Sequence, residues 1–147
     1  MSSGVPTRPE GEPYDWYRRG SALLDDGSPA AAAELLAWAV DEEPTAASLR
    51  EAYARALFDA RRFDEAAREF EVLCDLVPDD DYAHFGYGLA LWRLRRFHDS
   101  AQQLAMASVM RPDRSEYAAA LRQVRATLAA RAEAGLPPDG QPGEALG

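Results

Sequence analysis

Few residues in this chain are able to do chemistry. Two histidines, His84 and His98, one cysteine, Cys74, and two carboxylate runs, Asp41-Glu42-Glu43 and Asp79-Asp80-Asp81, are the candidates for proton transfer, nucleophilic attack or metal binding. A catalytic base must reach the proton it takes, a reactive cysteine needs a base or cation beside it, and a structural zinc needs four nitrogen or sulfur ligands. The histidines stand fourteen residues apart and, at helical spacing, fall on different helices and different faces. His84 therefore reads as a packing residue, and Cys74, beside Leu73 and Leu76, as a small buried hydrophobe. The acidic runs sit at turns, where carboxylates cap helices. No phosphate-cradling glycine loop and no nucleophile elbow occurs. The expectation is a protein that is not an enzyme and takes no cofactor and no metal.

The elements that carry these residues follow from an internal repeat. Arg61 to Asp80 reads RRFDEAAREFEVLCDLVPDD, and Arg95 to Arg114 repeats it as RRFHDSAQQLAMASVMRPDR. A worn copy precedes them, and the three closing prolines, Pro44, Pro78 and Pro112, are evenly spaced at the same interval. A fixed period of this size signals an array in which each unit buries its apolar face only by stacking on its neighbours. Apolar spacing predicts a helix from Tyr14 through Trp16, Gly20 and Leu23, ended near Asp26-Gly27 because glycine is favoured just past a helix. Ser28-Pro29 opens a second helix, which runs to Pro44. Helices over residues 46–60 and 63–76 follow, and 80–94 and 97–110 repeat the pair. Asp113-Arg114-Ser115-Glu116 has the form of a capping box ahead of a long Ala- and Arg-rich helix ending at Gly135. Its stripe of Tyr117, Leu121, Val124 and Leu128 suits the end of an open stack. Residues 1–12 and 135–147 read as disordered tails.

Composition bounds the function. Lysine, isoleucine and asparagine are absent and alanine is abundant, a bias expected of a GC-rich bacterial genome. The net charge of −9 argues against nucleic acid and against anionic membranes, since phosphate contacts need cations. The charge is uneven, and Arg93, Arg95, Arg96, Arg111 and Arg114 read either as a solvated loop rim or as a basic edge on the third repeat that steers an acidic partner or the acidic end of a second copy. A single cysteine allows no internal disulfide, and no run approaches the ~18 apolar residues of a membrane span. A cytoplasmic location is expected.

With the helices placed, the chain resembles the tetratricopeptide repeat family. The residues that carry the likeness are Trp16, Gly20, Leu23, Ala32, Leu36 and Pro44 in the first repeat. Tyr53, Ala54, Leu57, Ala66, Phe70 and Pro78 carry it in the second, and Tyr87, Gly88, Leu91, Leu104 and Pro112 in the third. The departures are Arg19 and Glu42 in apolar slots, Arg50 and His84 in the slot of Trp16, and Ser100 in place of a small alanine. The resemblance implies an all-α, right-handed superhelical α-solenoid. Its repeats are 13–46, 47–80 and 81–114, with a capping helix over 113–134 and a domain spanning 13–134.

The resemblance also implies that the first helix of each pair lines a concave groove for a peptide. In that frame the groove takes Tyr14, Tyr17, Ser21, Leu24 and Asp25 from the first repeat, and Ser48, Glu51, Arg55, Phe58 and Asp59 from the second. The third repeat adds Tyr82, Phe85, Leu89, Trp92 and Arg93. Tyr82, Phe85, Leu89 and Trp92, spaced three, four and three, form a second apolar stripe on a helix that is apolar nearly all round. One branch of the family grips chaperone C-termini with Lys, Arg and Asn; without lysine or asparagine, that role is disfavoured. The expected function is a scaffold or adaptor binding a peptide or amphipathic helix of a protein partner. The alternatives are an assembly or secretion chaperone shielding apolar client segments, and a self-associating subunit such as a homodimer. The stripe is then either the ligand site or covered by the Pro-rich C-terminal segment or a second copy.

Overall fold

The computed structural model describes residues 7–140. Seven helices follow in order: α1 (Pro13–Asp25), α2 (Pro29–Glu42), α3 (Ala47–Asp59), α4 (Phe63–Leu76), α5 (Asp81–Arg93), α6 (Phe97–Met110) and α7 (Ser115–Glu133). There is no strand among the described residues. Each helix packs on the next. In addition α1 touches α3, α3 touches α5 and α5 touches α7, whereas among the described residues no contact joins α2 to α4 or α4 to α6. The odd-numbered helices therefore form the tight inner line of a curved stack, and the even-numbered ones splay along its outer side. This is an α-solenoid, with α7 continuing the inner line.

Two kinds of turn alternate along it. Every odd helix ends in a Schellman motif: Ser28 N bonds Leu23 O at 2.8 Å, Arg62 N bonds Leu57 O at 2.9 Å, Arg96 N bonds Leu91 O at 2.9 Å, and Leu136 N bonds Arg131 O at 2.8 Å. The motif needs one residue in the left-handed region. Gly27 (φ 77°) and Gly135 (φ 73°) supply it without strain, whereas Arg61 and Arg95 (both φ 64°) are held there against their side chains. Every even helix ends in an extended residue followed by proline. The turn closes through Ala46 N to Glu43 O, Asp80 N to Val77 O and Arg114 N to Arg111 O.

The units are joined by a repeated side-chain bond. Trp16 Nε1 donates to Glu10 O (3.0 Å), Arg50 Nη2 to Pro44 O (2.8 Å) and His84 Nε2 to Pro78 O (3.0 Å). Three chemically different residues thus supply one N–H to the carbonyl six residues upstream. Within units the helices approach closely. A Cβ added at Gly20 would lie 2.6 Å from Leu36, and one at Gly88 would lie 2.7 Å from Leu104. Ala54 and Ala66 are fully buried at the corresponding crossing of α3 and α4. Ser100, in place of the small alanine, donates to Gly88 O across the α5–α6 contact at 2.7 Å.

Three expectations differ from the structure. Asp113 does not cap α7; it faces the Arg111 guanidinium in a fork of 3.0 and 2.9 Å, and the N-cap residue, Arg114, has no side-chain cap bond. The ion pair is the stronger partner for that carboxylate. Residues 7–12, read as tail, are placed against α1 and α2: the Arg8 guanidinium lies 4.9 Å over the Trp16 ring and Arg8 Nε bonds Glu42 at 3.2 Å. Residues 135–140, also read as tail, run back to the α5–α6 turn. Arg131 donates to Pro137 O (2.8 Å) and Asp139 O (3.1 Å), and Gly140 N donates to Arg95 O (2.9 Å). Asp139 Oδ1 accepts the His98 amide in the first turn of α6 (3.2 Å). Helix ends leave unpaired N–H and C=O groups, and both segments satisfy such groups. The remaining tail positions, 1–6 and 141–147, lie outside the described residues.

The left-handed arginines give a paired test. Arg61→Gly is expected to raise stability by about 0.5–1 kcal/mol, and Gly27→Ala to lower it by about 1 kcal/mol. Thermal melting of the two variants should shift in opposite directions; equal shifts would mean that Arg61 is not strained.

Candidate functional site

The inner face is built by one side of α1, α3, α5 and α7. Tyr17, Leu24, Phe58 and Tyr82 are half-buried against the central core of Leu36, Leu57, Phe70 and Leu73. The Tyr82 ring meets Phe70 edge-on at 6.3 Å, and Phe58 meets Phe63 edge-on at 5.1 Å. Tyr14 is 67% exposed, with the Arg18 guanidinium 5.8 Å from its ring. Ser21 and Glu51 are half-buried, and Asp25, Ser48, Arg55 and Asp59 are exposed. Glu51, Arg55, Asp59 and Asp80 all lie close enough to Tyr82 to act on its phenol. Burial first, and these carboxylates after it, push that phenol above its usual range, while Arg55 opposes them. Burial and then the Asp80 charge push the Glu51 carboxyl up.

The stripe expected along α5 divides. Tyr82 joins Phe58 and Tyr17 through the central core. Phe85, Leu89 and Trp92 are half-buried against Phe97, Leu104, Leu121 and Val124. The Phe85 ring lies 4.5 Å from Tyr117 of α7, and Trp92 meets Phe97 edge-on at 5.1 Å. The physical reason is that α7 belongs to the inner line and packs on α5 as well as on α6. Arg93 turns away toward the α3–α4 turn, its guanidinium 4.7 Å over Phe63. The basic edge is also answered locally. Arg96 pairs with Asp99 (2.7 Å), Arg111 with Asp113 (2.9 Å) and Arg114 with Glu116 (3.5 Å).

The chemically capable residues meet, but in an inert arrangement. Cys74 Sγ lies 3.6 Å from His84 Nδ1, which also faces Gln103 Oε1 at 2.8 Å. Because Pro78 O only accepts, Nε2 donates to it. Burial, followed by Asp80, Asp75 and Glu71, pushes the Cys74 thiol up to about 12, the reverse of an activated nucleophile. No group of three or more His, Cys, Asp or Glu side chains among the described residues could hold a metal.

Two outer-face features were missed by the sequence reading. A cleft of about 860 Å³ lies along α2, lined among others by Arg19, Leu23, Glu34, Trp38, Asp41 and Tyr53. On α6, Met106 (46% exposed), Val109 (82%) and Met110 (38%) form an uncovered apolar face at i, i+3, i+4 spacing. Signals existed: Arg19 occupies an apolar slot, and Trp38, Val72 and Met106 hold the same outer-line position in successive repeats.

A curved stack of helix pairs with one continuous inner face defines a helical-repeat scaffold, a class whose surfaces, rather than a reaction centre, are the working parts. The tetratricopeptide repeat profile matches residues 17–81 and again 54–114, and the chain belongs to that family. Solved structures share the fold. The first tetratricopeptide domain of Spaghetti (RPAP3), bound to the HSP90 peptide SRMEEVD, superposes with a TM-score of 0.76 at 18% identity, covering 87% of this chain and 99% of that one. MamA 41-end from Desulfovibrio magneticus RS-1 gives 0.78 at 17%, covering 86% and 71%. YrrB, described as having an unusual peptide-binding site, gives 0.73 at 20%, covering 76% and 58%. No curated protein matches the sequence. Among the described residues, no helix is long and apolar enough to cross a membrane.

The raised Cys74 thiol and the Tyr87 phenol, which burial and its bond to Glu71 (2.6 Å) push up to about 12, fix a pH dependence. Above the ordinary thiol and phenol values the unfolded chain has lost these protons while the folded chain keeps them, so the folded state loses stability as pH rises. Denaturant midpoints should fall between pH 9 and pH 12, and Cys74→Ala combined with Tyr87→Phe should flatten the fall. An unchanged slope in the double variant would contradict these shifts.

Proposed function

We propose that this protein is a non-enzymatic interaction module whose inner face receives an extended peptide or an amphipathic helix of a protein partner. The observation that carries the reading is the row Tyr17, Phe58 and Tyr82, half-buried on the inner face beside Arg55, an exposed cation with no ion pair among the described residues. Half-exposed aromatic rings offer apolar area at little cost in side-chain entropy, and a neighbouring arginine orients a partner's carbonyl or carboxylate. Tyr14, Leu24, Phe85, Leu89, Trp92 and Arg93 border this row; the last four act mainly through the packing of α5 on its neighbours. The peptide-bound Spaghetti domain and the peptide-binding site named for YrrB support peptide binding on this fold. A chaperone C-terminus is a poor ligand here, because Glu51 and Asp59 flank Arg55.

The test is selection of binding peptides from a random display library on the folded protein, followed by measurement of their Kd on variants. Tyr17→Ala and Arg55→Ala should each weaken binding about tenfold, the equivalent of roughly 1.4 kcal/mol, with melting unchanged. Peptides indifferent to both substitutions would rule out the inner face.

A further inference from the structure

The outer face carries two complementary features at opposite ends of the stack, and neither is used by the inner-face reading. At the first repeat is the cleft along α2, with Trp38, Leu23 and Tyr53 among its walls and two exposed carboxylates, Glu34 and Asp41, facing two exposed arginines, Arg19 and Arg62, in its lining. At the third repeat is the uncovered apolar face of α6, formed by Met106, Val109 and Met110. Both are local departures from the repeat. Val109 stands where Asp41 and Asp75 stand in the earlier units, so only the third unit is apolar at that outward position. Arg19 stands where Tyr53 and Tyr87 stand in the later ones.

Charge follows the same polarity. Residues 13–80 hold 7 arginines and 16 carboxylates, whereas residues 81–133 hold 8 arginines and 5 carboxylates. The local pairs of Arg96, Arg111 and Arg114 are already inside this count, so the far end keeps a positive surplus after they are made. The apolar α6 face runs directly into Arg111 and, past Pro112 and Asp113, Arg114. The apolar face of α6, a knob, thus lies in the part of the chain with a positive surplus, and the α2 cleft in the part with a negative one.

We infer that the occupant of the α2 cleft is the α6 face of a second copy of this chain, so that copies associate head to tail. Such a contact is heterologous: each copy that offers its knob keeps its own cleft free, and the assembly extends or closes only as a ring. The contact is small beside the ~800 Å² per partner of a stable dimer. Association therefore builds up with concentration, and it weakens with salt because exposed charges are screened within ~8–10 Å. The inner face stays open in every copy, so a chain of copies presents the same groove repeatedly.

Sedimentation velocity on the full chain, from micromolar to millimolar concentration, tests this. The wild type should show a sedimentation coefficient that rises with concentration and falls back at high salt. Val109→Asp removes the knob, and Asp41→Arg makes the cleft lining positive by adding a third arginine to Arg19 and Arg62; both positions are exposed, so melting should not change. Each variant alone should stay monomeric over at least tenfold more concentrated solution than the wild type. Mixed together they should form one-to-one dimers and nothing larger, because the Asp41→Arg chain still has a knob and the Val109→Asp chain still has a cleft. A wild type that is monomeric throughout overturns the inference. So does a dimer that survives both substitutions, a dimer lost in Val109→Asp but untouched in Asp41→Arg, which indicates knob against knob, or a mixture that stays monomeric.

Discussion

The hydrogen bond between a side-chain N–H and the carbonyl six residues upstream is the joint on which the stack depends. A helix pair of this size has no core of its own, so the angle at which one pair meets the next decides whether apolar faces are covered. The acceptors, Glu10 O, Pro44 O and Pro78 O, recur at the repeat interval. Two of them lie in the proline turns that end even helices, and the third lies in the segment leading into α1. Such a hydrogen bond contributes about 0.5–1.5 kcal/mol net, and its geometry fixes how the turn meets the next helix. Side chains as unlike as Trp16, Arg50 and His84 can occupy the site because what the site requires is a donor with an apolar or stackable body. Arg50 adds an ion pair to Glu69 that tryptophan could not make, and His84 adds a contact to Gln103 on α6. The joint is thus held constant while each unit uses the remaining valence to reach a different neighbour.

The features legible in the sequence are those the joint and the helix crossings demand. The period, the closing prolines and the close contacts at Gly20, Ala54 and Gly88 are consequences of short-range geometry, and each needs a particular residue type. Helix boundaries at Phe63–Leu76 and Phe97–Met110 agree with expectation for that reason. What was not legible depends on competition between partners. Asp113 has the right spacing for a cap, yet a guanidinium two residues away holds it more strongly than the helix amides. Arg61 and Arg95 look like a shared basic motif, but one of each pair is there to end a helix in a conformation that glycine adopts more easily. The placement of residues 7–12 and 135–140 rests on single ion pairs and carbonyl contacts with distant helices, which composition alone does not reveal.

The candidate site shows the same division. The inner line of helices follows from the repeat frame, so the positions of Tyr17, Phe58, Tyr82 and Arg55 on one face could be anticipated. The fate of Phe85, Leu89 and Trp92 could not, because it turns on how far α7 leans toward α5. An apolar stripe on the last repeat has two ways to be covered, by a ligand or by the capping helix, and periodicity is identical for both. The structure gives much of that stripe to Leu121, Val124 and Tyr117. Tyr117 in turn donates to Asp81 at 2.6 Å, tying the start of α7 to the start of α5.

The consequence is that Tyr17, Phe58 and Tyr82 pack on the central core, whereas Phe85, Leu89 and Trp92 pack on the core shared with α6 and α7. Toward α7 the inner face becomes a run of small and polar side chains, with Ala119, Gln123 and Ala126 exposed. The same asymmetry runs through the outer face and the charge distribution, and it comes from one source. A repeat array is uniform only in the contacts that hold it together, so its ends are free to diverge, as the charge balance and the outer faces of the first and third units do here.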